Sequence, residues 1–185
     1  MAQIYFAVQA RRQELTDQLA ADVERLELRK HTGEEFKSIS GSAKQTGVEN
    51  QMFGVFHDAG CKGLYGGFDR DTIKTRKGVP EKENLMDRMT ATELAANQFR
   101  MTQPRDKLAR ARIHDQQLAI RTHEQAGKEV RDAITRIGGD LPEHIPAAEQ
   151  IKEVENRIKT ATPKLELDER DAGGLLGDAS DKTKD

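Results

Sequence analysis

The chain has 185 residues, of which 35% are hydrophobic, 4% aromatic and 34% charged, and its formal net charge is −2. A globular domain usually contains roughly 45–50% apolar residues, so this composition predicts a thin core built on extended helices. No window approaches the roughly 20 apolar residues of a membrane-spanning helix, and the start has no signal-peptide features. We therefore expect a cytoplasmic protein, in which the single Cys61 forms no internal disulfide.

The first predicted element is a long amphipathic helix over roughly residues 3–30. Apolar residues recur along it at spacings of three, four and seven, namely Ile4, Val8, Leu15, Leu19, Val23 and Leu26. His31-Thr32-Gly33 is expected to break this helix, and a shorter helix follows until Gly47 ends it. The apolar face must pack against the rest of the chain or against a partner helix.

A cluster of glycines, Gly60, Gly63, Gly66 and Gly67, follows an apolar patch that is expected in the core. Glycine permits positive φ and the close approach of another chain or a phosphate. The spacing matches neither GxGxxG after a strand nor GxxxxGK before Ser or Thr, so it does not indicate a nucleotide-binding loop. We interpret the cluster as a tight structural turn with Leu64 and Tyr65 in the core; phosphate cradling is the alternative.

Capping residues mark the next three predicted helices. Asp69 or Asp71 caps a short helix, Asn84 caps another, and Thr90 with Glu93 forms a capping box for a third. Pro104 is expected to end or kink this third helix.

This order of helices is similar to a helix-turn-helix, whose last helix presents side chains to the major groove. Asn97, Gln98 and Arg100 are residue types that read bases, although they are also common on exposed helix faces.

The second half of the sequence predicts two more helices and a carboxyl-terminal tail. One helix runs from Asp115 to Ile137 and stops at Gly138-Gly139, and a last helix begins at Pro146. After Pro163 the sequence is acidic and contains glycine, which is typical of disorder. The predicted fold is thus all-α: one multi-helix domain over residues 1–162, and a flexible acidic tail over residues 163–185.

Positive charge is concentrated in the middle of the chain. Residues 62–112 contain 12 Lys and Arg against 7 Asp and Glu, whereas residues 164–185 contain 4 against 7. A basic middle permits nucleic-acid or partner contact, although a solvated charged face is the plainer interpretation. The candidate contact residues are Lys62, Lys74, Arg76, Lys77, Arg100, Arg105, Lys107 and Arg110.

The sequence contains no pattern typical of an active site. His57, Asp58 and Cys61 are close in sequence, but a nucleophilic thiol needs a base and an anion hole arranged around it. His114, His123 and His144 do not have a metal-ligand spacing such as HExxH. We therefore expect no enzyme, no metal and no cofactor.

Several long segments resemble the carboxyl-terminal region of the bacterial DNA-damage-inducible protein D family. They are AQIYFAVQARRQEL, FHDAGCKGLYGG, DTIKTRKG, LMDRMTATELAANQFRMTQPRDKL and LPEHIPAAEQIKEVE, and together they cover roughly residues 2–155 in the family's order and spacing. The resemblance implies a non-enzymatic protein of the DNA-damage (SOS) response, in a family associated with modulating RecA recombinase filaments.

Members of that family usually carry a BRO-type domain, thought to bind DNA, ahead of this region. The resemblance begins next to Met1, so we expect a truncated product or a separately encoded module. Two other functions stay open: a phage-regulator-like module that binds DNA directly, and a purely structural fragment of a larger protein. The resemblance transfers no catalytic residue.

Overall fold

A computed structural model of the chain describes residues 2–111 and 115–161. Its helices are α1 (Ala2–Gln45), α2 (Phe53–Leu64), α3 (Arg70–Arg76), α4 (Ala91–Ala111), α5 (Gln116–Arg136) and α6 (151–161), with 3-10 turns at Asn50–Met52 and Leu85–Arg88. These residues include no strand, so the all-α prediction is confirmed. The predicted tail over residues 163–185 and His114 lie outside the described residues.

The chain forms two compact units. Of the described residues, the first contains 2–23 and 151–161, and the second contains 24–111 and 115–150. Within the first unit, Arg157 donates two hydrogen bonds to the carboxylate of Asp22, at 2.6 and 3.0 Å. In the part of the chain that the structure describes, no helix combines the length and the apolar character that crossing a membrane requires.

Helix α1 is long, as predicted, but the predicted break at His31-Thr32-Gly33 is wrong. The Thr32 hydroxyl donates to Leu28 O at 2.7 Å, and the side chain is fully buried. Glycine in a helix interior costs only about 1 kcal/mol relative to alanine. Burial of the neighbouring turn against the second unit's core offsets this cost, so the helix continues to Gln45.

The buried residues of α1 are not those of the predicted apolar stripe. Leu15 is 60% exposed, whereas Arg25 is buried. The Arg25 guanidinium donates to the carbonyls of Asp87, Met89 and Glu149 at 3.0, 2.8 and 2.6 Å. A charged residue is buried only where such partners exist, and these partners come from segments far along the chain.

Two apolar clusters form the core of the second unit. The first joins α1, α2, α4 and α5, and the second joins α2, α3, the turn at Leu85–Arg88, α4 and α5. Their largest fully buried apolar side chains are Ile39, Phe56, Met101 and Leu108 in the first cluster, and Leu64, Tyr65, Ile73 and Leu94 in the second. Leu64 and Tyr65 are therefore core residues, as the sequence predicts.

The four glycines divide between a turn and a helix. Gly66 and Gly67 have φ of 65° and 96°, so they occupy the left-handed region that follows the end of α2. Gly60 and Gly63 lie inside α2, so their assignment to a structural turn is wrong.

Gly60 and Gly63 instead allow α2 to touch α5. A Cβ on Gly63 would overlap the Glu124 backbone oxygen, and a Cβ on Gly127 of α5 would lie 2.6 Å from Gly60 O and 2.7 Å from Leu64 N. Atoms at these distances clash, so side chains are excluded from both helices at the crossing. The close approach that the glycines suggested does occur, but its partner is α5 of the same chain.

Pro104 does not end α4, which continues to Ala111. A proline inside a helix costs about 3 kcal/mol or more because it removes a hydrogen bond and crowds the preceding turn. Met101 and Leu108, on either side of it, are 0% and 1% exposed and belong to the first apolar cluster. Their burial keeps the second half of α4 helical.

The last helix begins at residue 151, so the prediction that it starts at Pro146 is wrong. Ala148 N–H donates to Arg88 O at 2.8 Å, and Glu149 O accepts the Arg25 hydrogen bond. These backbone groups are used in tertiary contacts and are not available to a first helical turn.

The predicted caps Asp69 and Asn84 are confirmed. Asp69 accepts from Thr72 N at 2.9 Å, and Asn84 accepts from Met86 N at 3.0 Å. Asp115, predicted only as the start of its helix, also acts as a cap, since it accepts from the second and third amides of α5 at 2.8 and 3.2 Å. Each cap satisfies an amide that has no partner inside its own element.

The helix crossing predicts that Gly63→Ala destabilises the second unit strongly. The added methyl group forces α2 and α5 apart, which we expect to cost about 3 kcal/mol in the free energy of unfolding. Urea denaturation followed by circular dichroism measures this cost. Gly54→Ala is the matched control on α2, because Gly54 is helical and has no atom within 4 Å of an added Cβ.

The control should be neutral or stabilising by up to about 1 kcal/mol, because alanine is the better helix former. Equal stabilities for the two variants would contradict the crossing.

Candidate functional site

Two of the eight predicted contact residues are buried. The Lys77 side chain is 3% exposed and forms an ion pair with Glu93 at 2.8 Å, and Arg100 is 5% exposed. Neither side chain lies on the outer surface, where the backbone of a DNA duplex would contact it. The structure therefore does not support Lys77 and Arg100 as direct contacts to a duplex.

The other six predicted residues are at least partly exposed, but two of them already have partners. Lys74 Nζ donates to Glu81 O, and Arg105 pairs with Glu35 and Asp106. The fully exposed residues are Lys62, Arg76, Lys107 and Arg110.

The structure does not bring the predicted basic residues onto one surface. Lys77 contacts Glu93 in the first turn of α4, whereas Arg105, Lys107 and Arg110 lie in its last two turns. A helix rises 1.5 Å per residue, so these two groups are about 20 Å apart. Any contact with a nucleic acid would thus involve two separate groups of cations.

The predicted base-reading face of α4 points into the protein. Asn97 is fully buried and Arg100 nearly so, and only Gln98 is partly accessible. The neighbouring Phe99 is 55% exposed. The helix-turn-helix interpretation of these side chains is therefore wrong, although the order of short helices before α4 agrees with the prediction.

Glu93 is the centre of a buried polar cluster at the start of α4. Its Oε1 accepts from Tyr65 Oη at 2.6 Å and from Lys77 Nζ at 2.8 Å, and Lys77 also donates to Ile145 O at 2.7 Å. Burial raises the pKa of Glu93, and the hydrogen bonds from Lys77 and Tyr65 oppose this rise. Burial also raises the pKa of Tyr65 well above its usual value, so its hydroxyl remains a donor.

The capping box at Thr90 and Glu93 is built in a different way from its prediction. Thr90 Oγ1 accepts from Glu93 N at 3.3 Å, as expected for the cap. The Glu93 side chain, however, makes its short hydrogen bonds to Tyr65 and Lys77 in the core. One residue therefore both begins α4 and connects it to the second apolar cluster.

Asn97 links this cluster to Arg100. Its side-chain amide donates to Tyr65 Oη at 3.0 Å and to Glu93 O at 2.9 Å, and its Oδ1 accepts from Arg100 Nε at 2.9 Å. The orientation of Asn97 is thus set by both neighbours. Sequence reasoning missed this role because the partners lie up to 32 residues apart.

His123 of α5 holds the other side of Arg100. Its Nδ1 donates to Phe56 O at 3.0 Å, which leaves Nε2 to accept from Arg100 Nη1 at 3.0 Å. Burial, and next the charge of Arg100, lower the pKa of His123 well below its usual value. The imidazole is therefore neutral, as its acceptor role requires.

His57 lies on α2 beside this pair and stacks on Phe36 with ring centroids 4.0 Å apart. The Ser40 hydroxyl donates to Phe36 O, so it accepts from His57 Nε2 at 2.9 Å. This arrangement leaves Nδ1 unprotonated, buried and without a partner among the residues that the structure describes. Burial, followed by the charges of Arg100 and Arg70, lowers the pKa of His57 to about 4.

The sequence neighbours of His57 do not activate a nucleophile. Burial raises the pKa of the Cys61 thiol to about 11, and Asp58 Oδ1 lies 3.8 Å from the guanidinium of Arg70. His123 is buried and His144 is exposed. Within residues 2–111 and 115–161, no three His, Cys, Asp or Glu side chains are grouped so that they would bind a metal ion.

Comparison with known proteins identifies the family of this chain. Residues 19–154 match the DinD C-terminal domain family. The chain belongs to this family. It is also 42% identical over 169 residues to DNA damage-inducible protein D of Escherichia coli strain K12. That match covers 88% of the chain and 62% of the relative, so the chain spans less than two thirds of the relative's length. No solved structure matches the chain.

Several residues of the buried polar cluster lie in segments that carried the resemblance. Tyr65 belongs to FHDAGCKGLYGG, and Glu93, Asn97 and Arg100 belong to LMDRMTATELAANQFRMTQPRDKL. Of these, Asn97 and Arg100 were candidates for an outer, base-reading surface, whereas the structure buries both.

The two buried histidines predict that stability falls as the pH drops from 6.5 towards about 4. The unfolded chain binds protons at histidine near pH 6.5, whereas folded His57 does so near pH 4, and burial lowers the pKa of folded His123 well below its usual value. The unfolded state then holds more protons, so both histidines destabilise the fold as the pH drops, His57 by roughly 2 kcal/mol between pH 7 and pH 5. The raised pKa of Glu93 acts in the opposite direction and reduces the total.

Urea denaturation at pH 7 and pH 5 tests this dependence. His57→Gln should remove about half of it, since one of the two histidines no longer titrates. His144→Gln, at an exposed histidine, is the control and should retain the whole dependence. A wild-type stability that is the same at both pH values would contradict the buried neutral histidines.

Proposed function

We propose that this DinD-family chain is a non-enzymatic protein of the bacterial DNA-damage (SOS) response that modulates RecA recombinase filaments or recombinase–DNA complexes. The observation that carries the proposal is the 42% identity over 169 residues to a protein whose name records its induction by DNA damage. Because the chain spans 62% of that relative, the role concerns this helical region and its own contacts.

The non-enzymatic part of the proposal is supported by the chemistry around Cys61. A thiol with a pKa of about 11 is protonated at neutral pH, and only the thiolate is an effective nucleophile. The adjacent His57 makes no hydrogen bond to the sulfur, since its Nε2 contacts Ser40 and its Nδ1 has no partner among the described residues. These groups are better suited to holding the fold than to catalysis.

We expect the purified chain to change the stability of RecA filaments on single-stranded DNA. Light scattering and the filament's ATP hydrolysis measure filament assembly and turnover after addition of the chain. The variant Gly63→Ala, which disrupts the helix crossing, should lose the effect, and Gly54→Ala should keep it.

The proposal is contradicted if filaments stay unchanged at a molar excess of the chain and also at a molar excess of a fusion protein that adds the amino-terminal part of the Escherichia coli relative.

The second candidate is a module that binds DNA directly. It is favoured by Lys62, Arg76, Lys107 and Arg110, which are exposed and have no ion pair among the residues that the structure describes. A cation of this kind is able to replace a counterion on the phosphate backbone. The two groups of cations at the ends of α4 would then contact separate phosphates.

For this candidate we expect DNA affinity to fall steeply with salt. Each cation that contacts a phosphate of duplex DNA contributes about 0.9 to the slope of log affinity against log salt concentration. Replacing Lys107 and Arg110 by glutamine should therefore lower the slope by roughly 2. Gel-shift titrations at several salt concentrations measure it, and no retention of DNA at low salt would exclude direct binding.

A further inference from the structure

A cavity of about 790 Å³ lies within the second unit. It is bounded by residues 29–37 of α1, residues 57–61 of α2, residues 70–74 of α3, the segment 83–89, and Asn97 and Arg100 of α4. Pockets of roughly 300–1,000 Å³ are the usual size for small-molecule sites. The cavity is lined neither by the exposed cations at the end of α4 nor by the glycines at the crossing of α2 and α5.

Arg100 brings an uncompensated positive charge to this cavity. It is 5% exposed, and its hydrogen bonds go to the neutral partners Asn97 and His123. No carboxylate in residues 2–111 and 115–161 pairs with it. Buried charges in proteins are normally paired, because an isolated charge loses its hydration without replacement.

The unused part of the guanidinium is suited to an oxyanion. Nε and Nη1 are occupied by Asn97 and His123, and Nη2 makes no hydrogen bond with any described residue. Guanidinium is a planar donor that matches the geometry of carboxylate and phosphate groups. Both neighbours are held in turn, Asn97 by Glu93 O and His123 by Phe56 O, so the donor is preorganised.

His57 lines the same cavity beside Arg100. Its ring lies 6.2 Å from that of His123, which contacts Arg100. The Nδ1 atom is enclosed and has no partner among the described residues, so it is not open to a ligand. Arg100 is therefore the group at this site that lacks a complementary partner, namely an anion.

The charges around the cavity favour an anion as well. Six cationic and four acidic residues line it. Two of the cations are themselves paired, Arg29 with Asp87 and Arg70 with Asp58. Lys30 and Lys37 are exposed and have no ion pair among the described residues. Six cations against four carboxylates leave the lining with a formal excess of two positive charges.

We propose that this cavity binds a small organic oxyanion, whose phosphate or carboxylate group contacts Arg100. Phe36, Leu85 and Met86 line the same cavity and provide apolar contacts for the body of the ligand. The inference does not rest on the proposed role at recombinase filaments, because its observations are confined to the cavity.

Titration of the whole chain with inorganic phosphate, citrate and deoxyadenosine monophosphate at constant ionic strength tests the proposal. Isothermal titration calorimetry measures affinity, and nitrogen resonances of the Arg100 Nε and the His57 ring report contact. We expect saturable binding of at least one probe, with shifts at both residues; the three arms separate phosphate from carboxylate recognition. The absence of saturation for all three up to about 20 mM would overturn the proposal.

Variants decide whether the cavity is the site. Arg100→Met should weaken binding at least about tenfold, since a hydrogen bond to a charged group contributes about 1.5–3 kcal/mol. Arg70→Gln, at the exposed rim, should weaken it about threefold, and Lys107→Gln, at the far end of α4, should leave it unchanged.

Binding by Arg100→Met with wild-type affinity would overturn the proposal. Equal weakening by Arg70→Gln and Lys107→Gln would also do so, because it would indicate general surface attraction. If Arg100→Met does not fold, the affinities of Arg70→Gln and Lys107→Gln decide whether the ligand binds in the cavity. Failure of the recombinase experiment leaves these titrations unaffected, so the two results are distinguishable.

Discussion

The contact between α2 and α5 at Gly60, Gly63 and Gly127 is the constraint on which the rest of the second unit depends. An added Cβ at Gly127 would lie within 2.7 Å of backbone atoms of the facing helix, so the two helices approach each other without side chains between them. His123 lies one turn before Gly127 and is brought against Gly60, where only a hydrogen fits. From there it contacts Arg100 of α4. The crossing therefore sets the relation of three helices and the position of the buried guanidinium.

The buried polar side chains of the second unit stabilise the fold only when each of them keeps its partners. Removing one partner of a buried ion pair typically costs about 3–5 kcal/mol, because the other charge is left unpaired in a medium of low polarity. Lys77 and Glu93 neutralise each other's charge, with Tyr65 as a further donor to Oε1, while Oε2 has no hydrogen-bond partner among the described residues. Arg100 differs from them, because its neighbours are hydrogen-bonded but neutral. The two buried cations of this domain therefore differ in their partners. The charge of Lys77 is neutralised by Glu93, whereas Arg100 has no anionic partner among the described residues.

Local signals in the sequence were reliable where the structure they describe is local. Asp69 and Asn84 cap their elements because a cap needs only an amide two or three residues away. The positive φ of Gly66 and Gly67 is local in the same sense. The signals at Thr32 and Pro104 failed because packing outweighed them: Thr32 is fully buried, and Met101 and Leu108 on either side of Pro104 are core residues. In both places a preference of about 1–3 kcal/mol was smaller than the burial that opposed it.

The sequence by itself determined the helical class, most of the caps and, through several long matching segments, the family. Only the tertiary structure decided which cations are free, which glycines form a turn and which form a crossing, and where the uncompensated charge lies. The physical reason is that the burial of a polar side chain depends on partners that the chain brings from a distance. Tyr65 and Glu93 are 28 residues apart, Arg100 and His123 are 23 apart, and His123 and Phe56 are 67 apart. Neither composition nor helical periodicity contains these pairings, so the same Asn97 and Arg100 that suggest a DNA-reading surface become the interior of the domain.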